Sequence, residues 1–337
     1  MVSGFNIRKI GGTVKNGPCG GLGCISSQFA VFLSRFSGMS ASHRILLRPH
    51  AKINIGLHIL RKRPDAYHDI ETIFHEVDLY DEIELVRTEG ISMESSSPAA
   101  PPDAENLCMR AAALLRQWSG YEHGVHIRLT KRIPVGGGLG GGSSDAAAVL
   151  VGLNHLWNLS LPVEDLQRLG GQLGADVSFF IRGESAYATG RGEVLRHGDF
   201  RVPFWILLVT PPVHVSTAWA YQHVVPRPPT RTSGLSAVFE GDLGRSPDLL
   251  LEVENDFEIP VFAHYPAIQD VKRRLGSAGA ALALMSGSGA SVFGLFREED
   301  QANSAAAGFS DEYLCSLTPP LFRPPQPRLR VIDDEPR

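Results

Sequence analysis

The chain has 337 residues, 43% of them hydrophobic and 20% charged, which suits a globular protein and argues against general disorder or membrane residence. A formal charge of -4 gives no global attraction to nucleic acid or anionic lipid, so an anionic ligand needs a local site. Cys19, Cys24, Cys108 and Cys315 have neither disulfide-framework nor metal-ligand spacing, and no apolar run approaches the roughly 20 residues that span a bilayer. A reduced, cytoplasmic protein of two medium domains is expected, with a small-molecule partner, no nucleic acid and no membrane.

Residues 1–43 lack Asp and Glu and carry Arg8, Lys9, Lys15 and Arg35. This composition suits a transit peptide, but Met39 lies just before the first convincing strand, which favours a disordered extension or a mis-assigned start. From Arg44, Ile53, Ile55, Leu57 and Ile59 alternate with other residues, so 44–60 reads as strand-rich. A polar turn at 61–65 precedes strand candidates at 70–74 and 82–86, and 95–102 reads as a surface loop. Asn106 to Trp118 has helical spacing ended by Gly120, and Val125, Ile127 and Leu129 mark a strand running into a glycine-rich segment.

Ser143 is suited to cap the next helix, and Pro162 opens another that ends near Gly170. After the apolar run 204–209 the pattern begins again, placing a domain boundary near 200. The divisions expected are 44–200, 201–316 and a loose Pro/Arg-rich tail at 317–337. In the second part, helical packing is interrupted around Pro260 and Pro266, and strands at 281–285 and 291–296 flank a Ser-Gly-Ser-Gly turn.

The segment Pro134-Val135-Gly136-Gly137-Gly138-Leu139-Gly140-Gly141-Gly142-Ser143-Ser144-Asp145 lies between a strand and a helix. Backbone amides and a helix N-terminus can converge there on an anion, with polyphosphate the natural ligand. A Walker loop is excluded because no Lys follows the glycines. The dinucleotide pattern Gly136-x-Gly138-x-x-Gly141 lacks the acidic residue that should end a second strand about 20 residues on.

The whole segment through Ala147 instead resembles the ATP-phosphate loop of the galactokinase, homoserine kinase and mevalonate kinase (GHMP) superfamily. Two residues beyond the loop fit the chemistry of a kinase. Lys52, in Pro49-His50-Ala51-Lys52-Ile53-Asn54, is a lone cation in an apolar strand. Asp176, in Leu173-Gly174-Ala175-Asp176-Val177, is a lone carboxylate between a helix end and an apolar run. By spacing alone the first could be an edge-strand lysine and the second a cap. Both segments resemble the family's catalytic motifs, which implies Lys52 as the electrostatic partner and Asp176 as the proton acceptor, with Asn54 contacting substrate.

Arg63-Pro64-Asp65-Ala66-Tyr67-His68 is similar to the segment that binds cytidine in the superfamily branch phosphorylating the 2-hydroxyl of a cytidine-diphosphate-linked methylerythritol, an isoprenoid precursor. Tyr67 and His68 are then expected on the base, with Tyr221 from the second domain. Ala66 stands where that pattern has Gly, and Ser178 where it commonly has Pro. Ser286-Gly287-Ser288-Gly289 resembles the superfamily's third motif. The resemblance implies a two-domain α+β fold, the first domain like ribosomal protein S5 domain 2 and the second ferredoxin-like, with the active site in the cleft between them.

ATP with Mg2+ is the expected phosphoryl donor, the metal arriving on phosphate oxygens and its protein ligands left open. A monomer or homodimer fits equally. Three other readings are a sister kinase for homoserine, mevalonate or a sugar, a non-catalytic nucleotide-binding relative and, more distantly, a dinucleotide oxidoreductase.

Overall fold

The computed structural model describes residues 44–98, 105–227, 234–326 and 328–332; the expected extension at 1–43 lies outside these. Ser42–Arg337 forms one compact unit, arranged as a two-domain α+β fold. Three antiparallel sheets, with one parallel pairing, carry the described strands.

The first sheet has the order β13-β1-β4-β6-β5, from β1 (Arg44–Leu47), β4 (Glu82–Thr88), β5 (Ile91–Ser95), β6 (Gly124–Thr130) and β13 (Leu329–Ile332). Helices α1 (Leu107–Ser119), α2 (Gly141–Leu156), α3 (Val163–Leu173) and α4 (Ala175–Arg182) contribute to the core beside it. The Asn106 carboxamide oxygen accepts from the Cys108 amide at 2.9 Å and starts α1; Gly120, at φ 68°, ends it.

The second sheet, β2-β3-β7-β8, joins β2 (His50–Lys62), β3 (His68–Tyr80), β7 (Ser185–Thr189) and β8 (Val194–His197). The third, β10-β11-β9-β12, contains β9 (Trp205–Thr210), β10 (Leu282–Met285), β11 (Val292–Phe296) and β12 (Leu314–Thr318). Around these strands lie α5 (Thr217–His223), α6 (Leu235–Glu240), α7 (Glu258–His264), α8 (Pro266–Ser277) and α9 (Glu299–Ala307).

Strand β2 shows why alternation alone understates burial. Ile53 and Ile55 enter a core shared with Phe204, Leu208, Leu284 and Phe293, each side chain contributing about 1.5–3 kcal/mol. By the two-residue period of a strand, Lys52 and Asn54 occupy its other face, and they too are buried. Two polar residues are thereby held rigidly inside the protein.

Two expectations are corrected. The tail is not loose throughout: Leu329–Ile332 pairs antiparallel with β1, Leu47 opposite Leu329, and Arg328 forms a part-buried ion pair with Glu76 at 2.6 Å. Strand pairing and a part-buried charge pair hold a segment whose composition has no periodicity. Ser143 does not cap α2, because that helix already begins at Gly141, with Gly140 at φ 69° as its capping residue.

Candidate active site

The glycine loop runs from the end of β6 into α2 along the wall of a cavity of about 390 Å³. The Leu139 carbonyl accepts from the Lys52 amide at 3.0 Å, and the Gly137 carbonyl from the Ser291 amide at 3.2 Å. Ser286 Oγ donates to the Gly138 carbonyl at 3.1 Å. The loop is therefore held by β2 and by the Ser-Gly-Ser-Gly turn between β10 and β11. A Cβ on Gly138, which lies at φ 76°, would sit 2.2 Å from the Ser286 carbonyl oxygen, so glycine is demanded by this close packing.

Gly140, Gly141, Gly142 and Ser143 line the cavity at the start of a 16-residue helix, where the first-turn amides offer partial positive charge. Pro134, Val135 and Gly136 line it too. Ser144 is an exception among the expected loop contacts: its side chain is buried and donates to the His50 carbonyl at 2.7 Å, which commits its proton to β2.

Lys52 and Asp176 reach the same cavity from β2 and from the first turn of α4. Lys52 Nζ lies 3.8 Å from Asp176 Oδ2, 2.5 Å from Asn54 Oδ1 and 3.4 Å from the Gly138 carbonyl, over the Phe74 ring at 5.0 Å. Burial pulls the lysine pKa down, and the Asp176 carboxylate opposes that pull. Asp176 keeps 33% of its side chain exposed and can meet a ligand. Asn54 lines the cavity but is already engaged, its amide donating to Thr72 Oγ1 at 2.9 Å, so its visible role is to hold Lys52.

A second cavity, of about 750 Å³, is bounded by Ala66, Tyr67, His68, Tyr221 and the segment joining α3 to α4. His68 stacks on Tyr221 with ring centroids 5.1 Å apart and planes inclined by 22°. Burial, then Lys62, lowers the His68 pKa, and burial followed by Asp176 pushes Tyr221 up to about 12, so both rings are neutral at physiological pH. Tyr67 is 56% exposed, with the Arg191 guanidinium over its face at 4.8 Å.

Ala66 adopts φ 68°, and its amide donates to the Arg63 carbonyl at 3.2 Å; the glycine-like turn persists with alanine in it. Ser178 links two helices, donating to the Gln167 carbonyl at 2.8 Å and accepting from Gln167 Nε2 on its own carbonyl at 3.2 Å.

Sequence reading missed a buried trio beside the loop. Lys131 bridges Asp81 and Asp145, the latter at 2.9 Å, while Asp81 Oδ1 accepts from the amides of Arg132 and Ile133. Burial pushes the Asp145 carboxyl upward, the Lys131 ammonium opposes that push and Asp81 adds to it. Lys131 precedes the loop and Asp145 follows it, so the trio ties the two ends together. The Thr217 and Ser288 hydroxyls, 3.0 Å apart on the cavity wall, were missed as well. Among the described residues no group of three or more His, Cys, Asp or Glu could hold a metal, and no helix is long and apolar enough to cross a membrane.

A glycine loop at a helix start, facing a buried lysine and an accessible carboxylate, is an arrangement for phosphoryl transfer to an alcohol. The family model for the GHMP kinases N terminal domain matches residues 106–184, and that for the GHMP kinases C terminal matches 235–314. The class defined by fold and site is that of the GHMP kinases.

A 4-diphosphocytidyl-2-C-methyl-D-erythritol kinase of Chlorobium phaeobacteroides (strain BS1) is 45% identical over 280 residues, covering 82% of this chain and 98% of that protein. One of the same name from Geobacter metallireducens (strain ATCC 53774 / DSM 7210 / GS-15) is 44% identical over 274 residues, covering 79% and 94%. The crystal structure of a 4-(cytidine 5'-diphospho)-2C-methyl-D-erythritol kinase superposes with a TM-score of 0.69 at 35% identity, covering 81% of this chain and 98% of that one. The chain belongs to the 4-diphosphocytidyl-2-C-methyl-D-erythritol kinase family. A homoserine kinase from Cytophaga hutchinsonii shares the fold, with a TM-score of 0.69 at 20% identity and coverage of 88% and 99%.

Proposed function

We propose that the chain transfers the γ-phosphoryl group of ATP to the 2-hydroxyl of 4-diphosphocytidyl-2-C-methyl-D-erythritol, a step in isoprenoid precursor synthesis by the methylerythritol phosphate route. The observation that carries this reading is the adjacency of the two cavities, which share Tyr221: one holds Lys52 and Asp176, the other the aromatic groups suited to a pyrimidine. The amides of the glycine loop and of the first turn of α2 hold the ATP phosphates. Asp176 accepts the proton of the attacking hydroxyl, and Lys52 stabilises the charge developing on that oxygen. Mg2+ accompanies ATP on its phosphate oxygens and neutralises charge there. Tyr67, His68 and Tyr221 bind the cytosine, and Asn54 fixes the lysine.

The test is ADP release by the purified protein with Mg-ATP and each of 4-diphosphocytidyl-2-C-methyl-D-erythritol, mevalonate, homoserine and galactose, with products identified by mass. Turnover confined to the cytidyl substrate is expected. Turnover on another acceptor would overturn the roles of Tyr67 and His68, and none at all with ATP still bound would favour a non-catalytic relative.

A further inference from the structure

A ligand whose base lies in the outer cavity and whose reacting hydroxyl lies beside Asp176 must pass its connecting groups through the junction of the two cavities. Two residues line both of them, Tyr221 and Arg191, and Arg191 is the cation of the pair. We infer that Arg191 holds the diphosphate linkage of the acceptor, making it a specificity-determining residue for nucleoside-diphosphate-linked alcohols. This inference rests on the cytidyl reading above.

The backbone around Arg191 is fixed. The Gly190 carbonyl accepts from the Ile70 amide at 2.7 Å, the Gly192 amide donates to the Thr189 carbonyl at 3.1 Å, and the Arg191 amide donates to Glu193 Oε2 at 2.5 Å. This turn between β7 and β8 lies against the catalytic carboxylate, since a Cβ on Gly192 would stand 4.0 Å from Asp176 Oδ1.

The side chain is 40% exposed and rests on Tyr67, while its Nε faces Glu193 Oε1 at 3.6 Å. Among the described residues its two terminal nitrogens have no hydrogen-bond partner, which leaves a planar fork of donors at the junction. Such a fork matches two phosphate oxygens at once, a geometry that an ammonium group does not reproduce. Lys62 lines the outer cavity but not the inner one, so it is not placed to take over this contact.

The test compares CDP with CMP as ligands of the full chain by isothermal titration calorimetry, for the wild type, Arg191→Met and Arg191→Lys. The wild type is expected to prefer CDP. Arg191→Met should weaken CDP binding by about tenfold to a hundredfold, as for the loss of a charged hydrogen-bonded contact, and should remove most of the preference. Arg191→Lys should recover part of it. In turnover, the Arg191→Met loss should fall on the KM for the cytidyl substrate and leave the KM for ATP unchanged.

An equal loss for CDP and CMP would overturn the inference, reducing Arg191 to a support for Tyr67. A raised KM for ATP would also overturn it by moving the contact to the donor. A wild type that binds neither cytidine nucleotide would instead overturn the cytidyl reading itself, and the inference with it.

Discussion

Lys52 Nζ and Asp176 Oδ2 lie 3.8 Å apart, close enough for strong electrostatic coupling yet longer than a direct hydrogen bond. The lysine's short contact is with Asn54 instead, and the carboxylate keeps an open side toward the cavity. An alcohol oxygen can therefore approach both groups. Asp176→Asn removes the proposed proton acceptor while keeping the shape, so kcat should fall by about 10²–10⁴-fold. ATP binding, measured by calorimetry, should be retained. Near-normal ADP release by Asp176→Asn would remove the general-base role.

Tyr67 is the most exposed of the three rings assigned to the base, and Arg191 covers one of its faces. Tyr67→Ala should raise the KM for the cytidyl substrate by roughly tenfold, the lower part of the range for a lost base stack of about 1–3 kcal/mol. The KM for ATP should not change. A parallel rise in both constants would mean that Tyr67 supports the cleft as a whole.

The loop, Lys52 and Asp176 were legible in the sequence because each stands in a short local pattern. Contacts across long separations were not. Lys131 meets Asp81 from 50 residues away, and Arg128 and Lys131 look alike in sequence, although Arg128 is exposed and Lys131 is enclosed between two carboxylates. Arg191 sits in a short polar turn that gives no sign of lying at a cavity junction. The pairing of Leu329–Ile332 with β1 joins opposite ends of the described chain, and four residues in a Pro/Arg-rich tail are too few to show a strand period. Burial of the polar residues of β2 was hidden because a second buried face cannot be read from alternation.

The trio beside the loop gives a large expected stability effect. Lys131→Met would leave Asp81 and Asp145 buried together without their shared cation, a class of change that costs about 3–5 kcal/mol. Denaturant unfolding should detect it directly. Because the trio ties the ends of the glycine loop, the KM for ATP should rise in whatever fraction remains folded. A variant of unchanged stability would show that the two carboxyls are relieved by solvent or by uptake of a proton on Asp145.

Ala66 provides a change in the opposite direction. A non-glycine residue at φ 68° carries about 1–2 kcal/mol of steric cost, whereas glycine's extra freedom in the unfolded chain costs about 0.4–1 kcal/mol. The steric term is the larger, so Ala66→Gly should stabilise the fold by about 0.5–1 kcal/mol in denaturant unfolding. Destabilisation by this substitution would mean that the turn relaxes away from positive φ.

Acid stability should be governed by histidines enclosed in the neutral form. Burial lowers His50, His58 and His75 from 6.5 to about 4, with nearby Arg328, Arg227 and Arg323, respectively, acting in the same direction. In the unfolded chain each binds its proton near pH 6.5, so between pH 6.5 and 4 the unfolded state holds more protons than the folded one. Stability contributed by the neutral rings is complete above pH 6.5 and is lost progressively as the pH falls toward 4. Urea midpoints should therefore drop steadily from pH 7 to pH 5. His75 offers a specific check: its Nδ1 meets Ser185 Oγ at 2.8 Å, while among the described residues its buried Nε2 has no hydrogen-bond partner to help accommodate a proton. His75→Asn removes one of these rings and should flatten the slope in this window, and an unchanged slope would assign the acid lability to other groups.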